Sequence, residues 1–140
     1  MKTLYALASF VVVVGLGIQF IPYGRDPTNP PATGEVTWAN DETRDLFAAA
    51  CADCHSNETA WPWYSRVAPM SWLVASDVGE GRNAFNVSVS SGLADADDAA
   101  ETVEDREMPP LPYLLLHPGA RLTPEERARF VAGLEATFGD

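Results

Sequence analysis

Cys51-Ala52-Asp53-Cys54-His55 contains both cysteines of the 140-residue chain and one of its two histidines. With residues this scarce, only about 0.0004 chance matches to the pattern are expected, so coincidence explains it poorly. Two cysteines separated by two residues and followed at once by histidine form the attachment pattern of a c-type haem. Each thiol can add across one vinyl group, and the neighbouring imidazole becomes the proximal iron ligand. The competing readings are a thioredoxin-like redox pair, a structural disulfide and half of a zinc site. A zinc site needs a fourth ligand and usually a second pair, and a thioredoxin motif follows a strand in a βαβ pattern. Neither context is present in the sequence.

The remaining expectations follow from length and charge. One domain with appendages fits this length. An apolar content of 46% is that of a globular chain. The formal charge is −11 and Lys2 is the only lysine, so without the N-terminal segment eight arginines face 20 carboxylates, a balance of −12. Such a surface argues against nucleic acid and anionic lipid headgroups and suits a basic or mixed-charge docking partner. Plain solubility accounts for the charge equally well.

Leu4 to Ile21 is apolar except for Ser9, Gly15, Gly17 and Gln19. As a helix it extends about 27 Å, enough to approach the ~30 Å of a hydrocarbon core. A cleaved signal would need small residues after the run, whereas Pro22-Tyr23-Gly24-Arg25 follows, so an uncleaved anchor over residues 1–22 is expected. The side on which haem is attached places the domain outside the bacterial inner membrane, on the periplasmic face. Arg25 leaves the positive-inside evidence nearly neutral. Residues 23–36, rich in proline, read as a semi-extended tether of up to about 43 Å. Residues 37–140 then form the haem domain.

Asn40 or Asp41 can cap a helix that runs into the cysteine motif, with Leu46, Phe47 and Ala50 inward. Trp61, Trp63, Tyr64 and Arg66 are candidate haem neighbours, through ring packing, indole N–H, hydroxyl and guanidinium; the rings suit a small core equally well. Ser71 can cap a helix to about Gly81, and residues 95–106 form a mostly acidic helix with a thin stripe of Ala96, Ala99, Ala100 and Val103. Met108, in Met108-Pro109-Pro110-Leu111-Pro112, lies 53 residues after His55 (108 − 55) and is the expected sixth iron ligand, its prolines holding the loop out of helix. Met70, His117 and an open position are the rivals. Thr123-Pro124-Glu125-Glu126 predicts a capping box, and Phe130, Val131, Leu134 and Phe138 recur at helical steps behind it. That helix should cross the one preceding the cysteine motif.

The motif is followed by Ser56-Asn57-Glu58-Thr59-Ala60-Trp61-Pro62-Trp63-Tyr64-Ser65, then Ala68-Pro69-Met70-Ser71-Trp72-Leu73-Val74, Met108-Pro109-Pro110 and Tyr113 to Leu122. In this order the segments resemble the bacterial haem-binding domain family of small monohaem c-type proteins, over about Trp38 to Leu134. The resemblance implies an all-α, class I cytochrome c-like fold, with Cys51, Cys54 and His55 at the haem and Met108 as second axial ligand.

The function expected is single-electron transfer by a membrane-anchored cytochrome with one covalent haem c, without enzymatic turnover. Its partners would be redox proteins or a larger respiratory or photosynthetic membrane complex, not nucleic acid. The alternatives are a haem sensor or peroxidase-like enzyme with an exchangeable sixth ligand, and a structural subunit of a membrane complex.

Overall fold

The structure is a computed structural model that describes residues 1–24, 27–93 and 95–139. Arg25, which bears on orientation, lies outside the described residues. Among the described residues seven α-helices carry the fold: α1 Lys2–Gly17, α2 Asp41–Ala50, α3 Ala52–His55, α4 Met70–Ala84, α5 Ala99–Glu104, α6 Leu111–Leu116 and α7 Pro124–Phe138. There is no strand among the described residues, so the all-helical expectation holds.

The chain forms two compact units, Met1–Thr28 with Trp61–Asp77 and Asn29–Ala60 with Val78–Asp140. In the first, α1 continues into a 3-10 turn at Ile18–Phe20, and Lys2–Phe20 is long and apolar enough to cross a membrane. None of its residues is buried against the rest of the chain.

The second unit is built on α2 and α7. Asn40 Oδ1 accepts the Thr43 N–H at 2.8 Å and opens α2, as its sequence implies. Thr123 and Glu126 form the expected capping box of α7. The two helices cross where Gly133 meets Thr43: a Cβ on Gly133 would lie 2.9 Å from the Thr43 Cβ and Cγ2. The exposed Arg129–Glu42 pair, at 2.7 Å, bridges the same helices and adds little. Phe47, Phe85, Phe130, Leu134 and Val103 fill the core with Ala96, Ala99 and Ala100, and Trp38, Leu46 and Phe138 pack around them. The alanine stripe is therefore buried as expected, but regular helix begins only at Ala99. Arg127 donates to the Val103 carbonyl and ties α7 to the end of α5.

Two expectations need correction. Ser71 does not cap α4, which begins at Met70; its side chain is fully buried and its hydroxyl has no partner. Nor does the helix end at Gly81. There the missing side chain permits close packing, since a Cβ would lie 2.7 Å from the Cys54 carbonyl oxygen and 2.8 Å from its Cβ.

In the proline-rich segment, residues 27–36 form no helix or strand, but they are not a free tether. Thr33 and Gly34 N–H donate to the Ser88 carbonyl at 2.8 and 3.1 Å, and Asn57 Nδ2 donates to the Pro31 carbonyl at 3.2 Å. Fixed backbone partners remove the reach that proline composition alone suggests.

Candidate functional site

Residues 51–60 form one hydrogen-bonded structure. α2 ends at Cys51, whose φ of −127° breaks the helix; its carbonyl then accepts from Cys54 N at 3.1 Å and His55 N at 2.9 Å, closing the turn that is α3. Cys51 and Cys54 are not joined by a disulfide; both are half-buried and carried on the same turn. Burial, with the Cys54 charge second, pushes the Cys51 thiol up to about 12.

His55 is buried and stacks on the Phe85 ring at a centroid distance of 4.1 Å. Its Nδ1 lies 3.2 Å from the Phe85 carbonyl oxygen. Because a carbonyl only accepts, Nδ1 carries the proton and Nε2 keeps its lone pair. Burial holds the imidazole below its ordinary pKa, with the Phe85 and Gly81 carbonyls opposing. A neutral ring whose far nitrogen is oriented by a backbone acceptor is the form an iron ligand takes.

Beyond the turn, polar groups that the sequence reading passed over hold the site. Asp53 Oδ1 accepts the Ala60 N–H at 2.8 Å, and its Oδ2 accepts the Tyr113 hydroxyl of α6 at 2.7 Å. Burial and then this bond push the Tyr113 hydroxyl well above its ordinary pKa. Arg82 Nε donates to the Ser56 carbonyl at 2.9 Å, and its Nη2 donates to Thr59 Oγ1 at 2.9 Å and Asn29 Oδ1 at 3.0 Å. Asn86 Nδ2 reaches Asn57 Oδ1 at 2.8 Å, and the His55 carbonyl accepts from Val87 N at 3.0 Å. Such residues carry no local spacing signal, because their partners come from distant segments.

Arg82 should be a measurable brace. Arg82→Met is expected to lower stability by about 1–2 kcal/mol, after allowing for its partial exposure. Amide exchange of residues 56–59 should rise with it; unchanged exchange would show that the loop holds without the guanidinium.

Met108 lies in the same unit as the cysteine turn, in the loop between α5 and α6, its N–H bonded to the Thr102 carbonyl at 3.1 Å. The loop is non-helical as expected, but α6 begins directly at Leu111 with Pro112 inside its first turn, a helix the sequence reading lacked. His117 stacks on Tyr113 at 4.0 Å and its Nδ1 bonds the Tyr113 carbonyl at 3.0 Å, the backbone-satisfied state expected of it. Trp61, Trp63, Tyr64 and Arg66 belong to the other unit, as does Met70. There Trp63 meets Tyr64 edge-on at 5.8 Å and is 79% exposed.

The family described as Haem-binding domain matches residues 13–136. The chain belongs to this haem-binding domain family. No curated protein and no solved structure matches it. In this haem-binding domain, the donor set fits the group: the imidazole has its lone pair on Nε2, and two cysteines with no disulfide between them share its turn.

Proposed function

We propose that the chain is a membrane-anchored monohaem c-type cytochrome that carries single electrons between redox partners. The observation that carries this reading is the commitment of His55 Nδ1 to the Phe85 carbonyl on the very turn that holds both cysteine thiols, with no disulfide between them. Cys51 and Cys54 would each add S–H across a vinyl group, making a C–S bond at one carbon and a C–H bond at the other. His55 Nε2 and the Met108 thioether would hold the iron from opposite faces. Bound haem supplies the one-electron couple. With His55 and Met108 both holding the iron, neither bond would have to break during turnover, which would suit a carrier rather than an enzyme.

Lys2–Phe20 would anchor the domain to the bacterial inner membrane, with residues 37–140 on the periplasmic side. The acidic balance, 20 carboxylates against nine basic residues, favours a partner, or a larger complex, with a basic docking face.

The deciding experiment is denaturation of the mature protein. Haem should stay with the chain through organic extraction and denaturing electrophoresis, while Cys51→Ser with Cys54→Ser should release it completely. Release from the unaltered chain, or a disulfide between the two sulfurs, would end the c-type reading. The docking idea has its own readout. Association with a redox partner should slow as salt rises, and salt-independent rates would remove it.

A further inference from the structure

The first unit carries an exposed aromatic surface beside the apolar helix. Gln19, the amide near the end of the apolar helix, is bracketed by a loop far along the chain. Its Nε2 donates to the Ala68 carbonyl at 2.9 Å and to the Gly15 carbonyl at 3.0 Å, and its Oε1 accepts the Ala68 N–H at 3.1 Å. An amide at the edge of hydrocarbon needs such partners, since water is scarce there. Just beyond, Gly24 turns with φ +67°, and a Cβ there would lie 2.5 Å from the Ser71 carbonyl oxygen and 3.0 Å from the Ala75 Cβ. Residues 68–75 are therefore held at the level where the chain leaves α1.

What this level exposes is apolar and aromatic: Phe20 at 88%, Tyr23 at 57%, Trp63 at 79% and Val67 at 44%. Its charge also departs from the rest of the chain. Residues 1–24 and 61–76 contain no carboxylate, and Lys2 and Arg66 are their only charged side chains, in a protein of net charge −11. Tryptophan and tyrosine favour the headgroup layer, where an apolar ring and a polar edge are both satisfied, and the lack of carboxylates removes repulsion from anionic lipid.

We propose that residues 61–76 rest on the lipid surface beside the exit of α1, with Trp63 set among the headgroups. The proposal rests on the anchor reading and adds a second membrane contact to it. Continuity with the anchor through Gln19 and Gly24, together with the charge segregation, favours lipid over a protein occupant.

The test uses the full, haem-loaded chain reconstituted into phosphatidylcholine vesicles that contain a photoactivatable phosphatidylcholine, with adducts mapped by mass spectrometry. Adducts are expected on α1 and on the peptide spanning residues 61–76, centred on Trp63. Trp63→Glu should abolish the second set and leave the first; because Trp63 is so exposed, folding should survive, and retained α1 labelling with an unchanged circular dichroism melt checks this. Adducts confined to α1 in the unaltered chain would overturn the proposal, as would a 61–76 set unaffected by Trp63→Glu. Absence of adducts from α1 as well would instead overturn the anchor reading itself.

Discussion

Gly133→Ala is expected to destabilise the protein by about 3 kcal/mol, although alanine is the better helix former by ~1 kcal/mol. The sign is set by Thr43, whose Cβ and Cγ2 lie 2.9 Å from where the new methyl would sit, and which is itself 1% exposed with its hydroxyl bonded to Asn40. Neither side can retreat without moving a helix. Against a total stability of about 5–15 kcal/mol this is a large fraction, and thermal unfolding should come roughly 10 °C earlier. Gly79→Ala supplies the contrast. No atom lies within 4 Å of its Cβ position, so the propensity term acts alone and should stabilise α4 by roughly 0.5–1 kcal/mol. Circular dichroism melts of the two variants decide the matter: shifts of the same sign would mean that the α2–α7 crossing yields more easily than its packing implies.

Met108→Ala should leave the haem attached while opening the iron's sixth position. In the proposed c-type attachment the haem would be held by Cys51 and Cys54, so loss of the thioether would not release it. Removing a thioether ligand takes away its preference for the reduced iron, and the potential should fall by at least ~59 mV, a tenfold shift in the redox equilibrium. Carbon monoxide should then bind the reduced variant rapidly, whereas it should bind the unaltered protein slowly or not at all. The weak sulfur-to-iron band of the oxidised protein should vanish. An unchanged band would place another side chain, Met70 or His117, at the iron. His117 is the poorer rival, since its ring is stacked on Tyr113 and its Nδ1 is bonded to that residue's carbonyl.

The parts of this fold that could be read in advance are those whose physics is local. Asn40 and the Thr123–Glu126 box announce helix starts because a cap lies within three residues of its partner. Phe130 and Leu134 announce a buried face through periodicity, and the cysteine turn announces itself through spacing. What stayed hidden depends on partners far along the chain. Gly81 looked like a weak helix end and serves as a point of contact with Cys54. Asp53 had no role in the sequence beyond its place between two cysteines, and its partner Tyr113, which donates to it, lies sixty residues on. Pro27, Pro30 and Pro31 suggested a semi-extended tether, and only the fold brings Asn57 to Pro31 and Ser88 to Thr33 and Gly34. α6 was missed because proline reads as a breaker unless a helix is known to begin at that point.

Phe85 belongs to two structures at once. Its ring packs with Phe47 and Phe138 at 6.2 Å each, while its carbonyl orients the His55 imidazole. With His55 as the proposed iron ligand, loosening of the hydrophobic interior would reach the iron, and the colour of the protein would double as a gauge of its mechanical integrity. In a gentle heating ramp, the visible bands should drift before helical content is lost.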